Sequence, residues 1–344
     1  MELTTSALAL PLLLTPPAAD QAVELKYEPA GGSTLSSTVE FTLESSTAES
    51  YWTFDGERIE ADFLDEKEVR AQFAFSDTIE RAAQGRPQVF ARTFDELEAT
   101  FFQEVSGEAA GEGGSLEVNY ESPLAGETIE YTWDADLEEY EFELADGNDD
   151  DLLAAAWSGS AYDLTFANLV PGEEVSVGDS WEVDGFVFGM LLVDPWLEFG
   201  LEGDDYQARR SLENKLRRPR FDHPRAEWLS GTVTAELGEV REDDEGRQLA
   251  VIQIELELEG DFPYEFEDED TGATFSGGEK HEFELEGEAV WDVAGGHLVR
   301  LELEGTEDKE ELQGISHPDE GDQESVDRLS GPISLVVEVA ASNG

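Results

Sequence analysis

The residues that most directly suggest chemistry lie mid-chain, where Val175-Ser176-Val177 precedes Gly178-Asp179-Ser180. A serine that a turn presents at the end of a strand can act as a nucleophile when a neighbouring base takes its proton. However, none of the four histidines has an aspartate three positions before it. The same residues also suit a plain turn at Gly178-Asp179, with Trp181 and Val183 opening the next strand.

Hydrolases of the Gly-Asp-Ser type normally carry this block near the mature N-terminus, together with Gly-x-Asn-Asp and Asp-x-x-His motifs. Here the block lies far from the N-terminus, and neither of the other motifs occurs. Because a motif needs its structural context, the turn is the preferred interpretation, and a hydrolase using Ser180 is a distant alternative. The sequence therefore predicts a non-catalytic protein.

Acidic residues dominate the composition: 83 Asp and Glu stand against 20 Lys and Arg among 344 residues, a formal net charge of -63. DNA, RNA and anionic membranes are bound largely through Lys and Arg, so nucleic acid is excluded as a partner. Such acidity with few lysines is typical of proteins from saline environments, and equally of exported proteins that charge keeps soluble. The absence of cysteine excludes disulfides and thiolate sites.

Residues 1–22 predict a signal peptide or a flexible leader. An apolar run from Ala7 to Leu14 is followed by small residues near Ala22, as in secretory signals, although Glu2 stands where a basic residue is usual. No later run reaches the roughly 18 apolar residues that a membrane helix needs. The expected location is therefore extracellular, or the periplasm and cell envelope.

Alternation of apolar and polar residues with a period of two predicts a mainly β protein with minor α content. Trp52 and Phe54 precede the turn pair Asp55-Gly56, and Ile129, Tyr131 and Trp133 share one strand face. We expect curved antiparallel sheets, arranged as a half-barrel or a sandwich, with a few short helices in the middle.

Helical spacing is found in a few places. Phe94, Leu97, Phe101 and Val105 predict a helix over 94–105, and further helices are expected over 150–157, 186–199 and 204–217. After the leader, the chain divides into an N-terminal antiparallel β region (23–145), a mixed helical and strand connector (146–225) and a C-terminal antiparallel β-meander (226–344). We expect the two β regions to form separate sheets.

Two segments resemble parts of uncharacterised secreted β-rich bacterial proteins: VPGEEVSVGDSWEV (170–183) and GEAVWDVAGGHLVRLELEG (287–305). This resemblance implies export and an antiparallel sheet, but no activity. A more distant likeness in architecture is to periplasmic carriers of lipoproteins and lipids, in which a curved sheet encloses an apolar cavity.

This likeness leads to the main functional hypothesis, binding of a hydrophobic small molecule or a lipidated envelope protein against the curved sheet. The candidate ligand-facing residues are Trp52, Phe54, Tyr131, Trp133 and Trp291. Ordinary core packing is the competing explanation for each aromatic residue. The alternative function is an acidic envelope scaffold or interaction protein that cations stabilise.

Two acidic loops, DGNDDD (146–151) and EDEDTG (267–272), offer the hard oxygen ligands that Ca²⁺ prefers. Their candidate ligands are Asp149, Asp151, Asp268 and Asp270. Neither loop has the full spacing of a calcium loop, so solvated loops are the simpler interpretation and no cofactor is expected.

A basic segment at 209–225 contrasts with the rest of the chain. It holds Arg209, Arg210, Lys215, Arg217, Arg218, Arg220 and Arg225. These side chains either bind an anion or partner, or pair with the protein's own carboxylates. The second interpretation is favoured because the surrounding negative field makes the chain's own acids the nearest partners.

Overall fold

The computed structural model describes residues 22–54, 57–60, 64–107, 114–122, 124–135, 139–145, 165–192, 202–203, 229–268, 273–317 and 321–343. These residues form mostly antiparallel β-structure in a large curved open sheet with little helix, which confirms the predicted fold class. None of the helices in these ranges is both long and apolar enough to cross a membrane.

The described residues contain sixteen strands. The first eight are β1 (Ala22–Leu25), β2 (Ser33–Phe54), β3 (Glu57–Glu60), β4 (Leu64–Ala83), β5 (Arg86–Ser106), β6 (Gly114–Glu121), β7 (Thr128–Asp134) and β8 (Glu139–Leu144). The others are β9 (Glu173–Ser176), β10 (Ser180–Val183), β11 (Glu202–Gly203), β12 (Leu229–Glu242), β13 (Gln248–Asp268), β14 (Ala273–Asp292), β15 (His297–His317) and β16 (Gly321–Asn343). A 3-10 turn covers Ala167–Leu169, and helix α1 covers Phe186–Leu192.

Fourteen of these strands form a single sheet, and β1 pairs with β9 in a separate ribbon. The order across the sheet is β10-β12-β13-β14-β15-β16-β2-β4-β5-β6-β11, with β3 beside β2, β7 beside β5 and β8 beside β7. The expectation of two separate sheets is wrong. The last strand, β16, pairs with β2 from Asn343 opposite Ser33 to Gln323 opposite Phe54, and so joins the N-terminal strands to the C-terminal ones.

The apolar core lies on the inner face of the sheet, near the end where β2 begins, which we call the lower end. Cross-strand register stacks the core in rows. One row runs through Val39, Val337, Leu301, Ala289 and Ile252, and the next through Phe41, Leu335, Leu303, Gly287 and Ile254. Helix α1 adds Phe188, Leu191 and Leu192 to this core. The alternation seen in the sequence is thus the alternation between core and solvent.

The helix predicted over 94–105 is wrong, because these residues belong to strand β5. A bulge sets Phe75 opposite Phe94 and Ala74 opposite Glu96, leaving Asp95 as an extra residue. The extra residue places Phe94 and Leu97 on the same buried face although they are three positions apart. A bulged strand therefore imitated helical spacing.

The other predicted helices are only partly covered. Helix α1 agrees with the start of the 186–199 prediction. The predictions for 150–157 and 204–217, and residues 193–199, lie outside the described residues.

Exposed glutamates on the outer face stand directly opposite one another across β13, β14 and β15. Glu255 pairs with Glu286, Glu257 with Glu284, Glu259 with Glu282, Glu286 with Glu304 and Glu288 with Glu302. Directly opposed like charges destabilise a sheet by about 0.2–1 kcal/mol per pair. Salt weakens this repulsion, since the screening length falls to about 3 Å at 1 M.

We therefore expect the melting temperature to rise markedly between low and molar salt. The double variant Glu257→Gln/Glu284→Gln, which removes one opposed pair, should melt higher at low salt and respond less to added salt. A melting temperature that does not change with salt would contradict the repulsion between these strands.

Candidate functional site

Above the apolar rows, the inner face of the sheet becomes charged. On β14, Glu279 and His281 continue the inward register of Phe283, and on β15 the inward positions after Gly305 are Glu307, Lys309 and Glu311. We call the group of inward-facing charged residues at this level the charged band. It consists of Asp65, Lys67, Glu279, His281, Glu307, Lys309 and Glu311. The alternation that buries leucines lower in the sheet brings these side chains to the same face.

His281 is held between two carboxylates in a buried setting. Its Nδ1 lies 2.6 Å from Oε1 of Glu307, and its Nε2 lies 3.6 Å from Oε2 of Glu279. The ring stacks on Phe283 with centroids 5.7 Å apart and meets the edge of Phe262 at 5.5 Å. Nε2 makes no hydrogen bond to any residue that the structure describes.

Burial lowers the pKa of His281, but its contacts with Glu279 and Glu307 outweigh burial and place the pKa above its usual value. Lys309 acts in the opposite direction. The two carboxylates therefore favour the charged imidazolium at this position.

Glu311 occupies the middle of the band between two lysines. Its Oε1 lies 2.8 Å from Nζ of Lys309 and 3.6 Å from Nζ of Lys67. Burial raises the pKa of Glu311, but Lys309 and Lys67 lower it more, to about 2. Glu311 is therefore a carboxylate at all but strongly acidic pH.

The contact between Lys67 and Glu311 bridges two strands that are not neighbours in the sheet. Lys67 is on β4 and Glu311 on β15, and β16 and β2 lie between these strands. In a flat sheet, three strand spacings would separate their backbones by about 14 Å. Their side chains nevertheless approach within 3.6 Å across the inner face. On the far side of Lys67, Asp65 accepts hydrogen bonds from Nε2 of Gln103.

Beyond the charged band, at the upper ends of the strands, the inner face becomes apolar again and is open to solvent. Phe54, Gln323, Ile315 and Phe275 form one row across β2, β16, β15 and β14. Trp52 and Ile59 pair across the β2–β3 hairpin. We call Trp52, Phe54, Ile59 and Ile315 the apolar rim. Trp52 is 54% exposed and Phe54 43%, so two aromatic rings are available at this end.

The structure does not bring the five predicted ligand-facing aromatics together. Trp52 and Phe54 lie on the apolar rim, whereas Tyr131 and Trp291 are buried in the core. Tyr131 stacks on Phe90 at 4.7 Å, which is core packing. Trp133 is partly buried against Tyr140. Of the five, only Trp52 and Phe54 are exposed enough to meet a ligand without rearrangement.

A separate buried ion pair lies in the lower part of the sheet. Nε and Nη2 of Arg92 donate to Oδ1 and Oδ2 of Asp77 at 2.6 and 2.7 Å. The guanidinium also lies over the ring of Phe75 at 4.4 Å. Burial raises the pKa of the adjacent Tyr131 to about 12. This bidentate pair joins directly opposed residues and so supports the register of β4 against β5, while Nη1 of Arg92 is buried without a hydrogen bond to a described residue.

The Gly-Asp-Ser segment forms the predicted turn, between β9 and β10. Gly178 has φ +91°, and Oδ2 of Asp179 accepts a hydrogen bond from the Ser176 amide at 2.8 Å. Ser180 is exposed at the start of β10, opposite Glu236.

The remaining predicted sites are mostly beyond the described residues. Arg209, Arg210, Lys215, Arg217, Arg218, Arg220 and Arg225 lie outside them, as do Asp149, Asp151 and Asp270. Asp268 ends β13, but its side chain is not among those described. Across the described ranges, no three or more His, Asp or Glu side chains are grouped so as to hold a metal ion.

Sequence reasoning missed the charged band. A usable signal was present in GGEKHEFELEG (277–287), where Glu279 and His281 occupy the same alternate positions as Phe283 and Leu285. Charged residues that continue an apolar register indicate a buried polar group, because the register itself points inward.

No protein-family model matches the chain, and no curated protein is significantly similar to it. Among solved structures, the chain is similar to an outer membrane channel from Pseudomonas putida F1, with 13% sequence identity and a TM-score of 0.23 over 91% of this chain and 98% of that one. A TM-score this low does not establish a shared fold.

Acid should weaken the protein through Glu311. Because its pKa is depressed from 4.5 to about 2, its contribution to stability is present above pH 4.5 and is lost as pH falls towards 2. The Glu311→Gln variant should lose less stability over this range, by at most about 3 kcal/mol in the free energy of unfolding, at roughly 1.4 kcal/mol per pKa unit.

Chemical denaturation at several pH values measures this difference. Glu324→Gln, an exposed position on β16 that lies opposite Gly314 and Thr53, is the matched control and should behave like the wild type. Equal acid sensitivity in Glu311→Gln and the wild type would show that the two lysines do not stabilise the Glu311 carboxylate.

Proposed function

We propose that this chain is a non-catalytic secreted or envelope protein that binds an apolar or amphiphilic ligand, or the lipid of a lipidated partner, on its apolar rim. The exposure of Trp52 and Phe54 on the inner face carries the proposal. Full burial of a large apolar side chain contributes about 1.5–3 kcal/mol, so two exposed rings leave a substantial gain for a ligand that covers them.

The inner face carries apolar rows, then the charged band, then the apolar rim, and this order favours an amphiphilic ligand in particular. The rows below the charged band are filled by their own side chains, including Phe283 and Trp291, which are almost fully buried. A ligand is therefore expected to lie on the rim rather than enter the core. There its apolar part would cover Trp52 and Phe54, and its polar end would reach the partly exposed edge of the band at Glu311 and Lys67.

Export is the part of the proposal that depends on sequence alone. The apolar run from Ala7 to Leu14 and the following small residues support a secretory signal. The strong negative charge agrees with a protein that stays soluble outside the cytoplasm and does not adhere to anionic membranes.

A second candidate is an acidic envelope scaffold that cations or a cationic partner stabilise. The opposed glutamates on the outer face of β13, β14 and β15 favour it. This surface is separate from the apolar rim, so the two candidates predict different effects of substitutions.

Calorimetric titration with monomeric lysophosphatidylcholine tests the main proposal. We expect saturable binding to the wild type and a loss of affinity of about tenfold or more in Trp52→Ala/Phe54→Ala, since each ring contributes more than 1 kcal/mol. Leu64→Ala is the matched control, because Leu64 is also exposed but lies on the outer face of β4.

The wild type and Leu64→Ala should therefore bind alike. Failure of the wild type to bind, or equal binding by the double variant, would contradict a ligand site on the rim. Binding of Ca²⁺ that is lost in Glu257→Gln/Glu284→Gln, without binding of the lipid, would favour the scaffold.

A further inference from the structure

We propose that His281 makes the upper end of the sheet responsive to pH: the imidazolium holds Glu279 and Glu307 together, and loss of its proton loosens the strands that carry the apolar rim. The consequence for ligand binding rests on the proposed function, whereas the loosening itself does not. Three observations carry the proposal: the contacts of His281, the charges around it, and the cross-strand register that joins it to the rim.

The imidazole bridges two acids that would otherwise share a buried space. Glu307 and Glu279 approach opposite ring nitrogens, at 2.6 and 3.6 Å. All three side chains are buried, and Phe262 and Phe283 cover the ring. Water can therefore do little to compensate a carboxylate that loses a cationic contact here, and removing one member of a buried ion pair is strongly destabilising.

Among the residues that the structure describes, few charged groups face His281. Glu279 shares its strand, and β15 contributes Glu307 and Lys309. The neighbouring strand β13 places Gly260 and Phe262 beside it, neither of which ionises. Further along the band, Lys309 also contacts Glu311, and Glu311 in turn contacts Lys67. Two acids and one lysine thus surround the ring.

Neither neutral tautomer can replace the imidazolium. With the proton on Nδ1, the ring still donates to Glu307 but turns the Nε2 lone pair towards the Glu279 carboxylate. With the proton on Nε2, the lone pair faces Glu307 instead. Lys309 remains 3.7 Å from Glu279, but it is shared with Glu311 at 2.8 Å. Deprotonation therefore leaves one buried carboxylate facing a lone pair.

The effect can reach the rim through the ladder of strand pairs. Glu279 is opposite Glu311, and four residues nearer the strand end Phe275 is opposite Ile315. The row of Ile315 continues through Gln323 to Phe54. Weakening β14 against β15 at the band thus weakens the support of Ile315 and, through β16, of Phe54.

The direction in which pH changes the stability of these strands follows from the raised pKa of His281. Its stabilising contribution is complete below its ordinary value of 6.5 and is lost as pH rises through the higher value of the folded protein. The strands should therefore be tight in mild acid and looser in mild alkali.

Hydrogen exchange, corrected for the intrinsic effect of pH, tests this on the whole protein. Between about pH 5.5 and 8.5, a range that spans histidine ionisation, protection of the amides in 275–283 and 309–315 should fall about tenfold or more. His281→Gln should show low protection that does not change with pH in this range. His297→Gln, which alters another buried histidine at the lower end of the sheet, should respond like the wild type.

If His281→Gln does not fold, the wild type still decides the matter through the imidazole resonances. His281 should titrate above its ordinary value, together with the change in protection. Protection that stays constant in the wild type, or a fall that persists in folded His281→Gln, overturns the proposal.

Titration with monomeric lysophosphatidylcholine at both pH values separates this proposal from the proposed function. Weaker binding at the higher pH, together with lower protection, supports both. Protection that depends on pH, without binding at either pH, refutes the rim as a ligand site but supports the pH response of the sheet. Equal binding at both pH values, with constant protection, refutes the pH response but supports the ligand site on the rim.

Discussion

The upper half of this sheet depends on the pairing of buried and half-buried charges across its inner face. Strands of 20 to 23 residues extend well beyond the apolar rows, so their upper ends lie outside the core that those rows form. The charged band takes its place, with Glu311 between Lys67 and Lys309 and with His281 between Glu279 and Glu307. A charged side chain of the band would be costly to bury without an oppositely charged partner. The position of each of these side chains therefore constrains the positions of its partners.

The same constraint explains how so acidic a chain can fold. The exposed glutamates of β13, β14 and β15 stand on the outer face, where water solvates them and salt screens their repulsion. Acids on the inner face are matched with scarce cations instead. Of the five lysines, Lys26, Lys67, Lys280 and Lys309 fall within the described residues, and each contacts a carboxylate. The position of each lysine therefore matters more than the overall charge ratio suggests.

The sequence allowed the strands to be predicted, because a period of two is a local property of the chain. The union of all the long strands into one sheet was not predictable in this way, since the pairing of β16 with β2 joins segments from opposite ends of the chain. The spacing of Phe94 and Leu97 wrongly predicted a helix because a bulge lies between these two residues in β5. Alternation also identifies the face on which a side chain lies but not its height along a strand. It could therefore not distinguish exposed Trp52 and Phe54 from buried Tyr131 and Trp291.

The charged band holds the upper part of the sheet together, and a double-mutant cycle between Lys67 and Glu311 measures how strongly. Lys67→Met, Glu311→Gln and the double variant are compared with the wild type by chemical denaturation at neutral pH. We expect a coupling free energy of about 1 kcal/mol or more, as for residues in contact within one salt-bridge network. Additive effects of the two substitutions would contradict it, because they would mean that β4 and β15 are not joined through this pair.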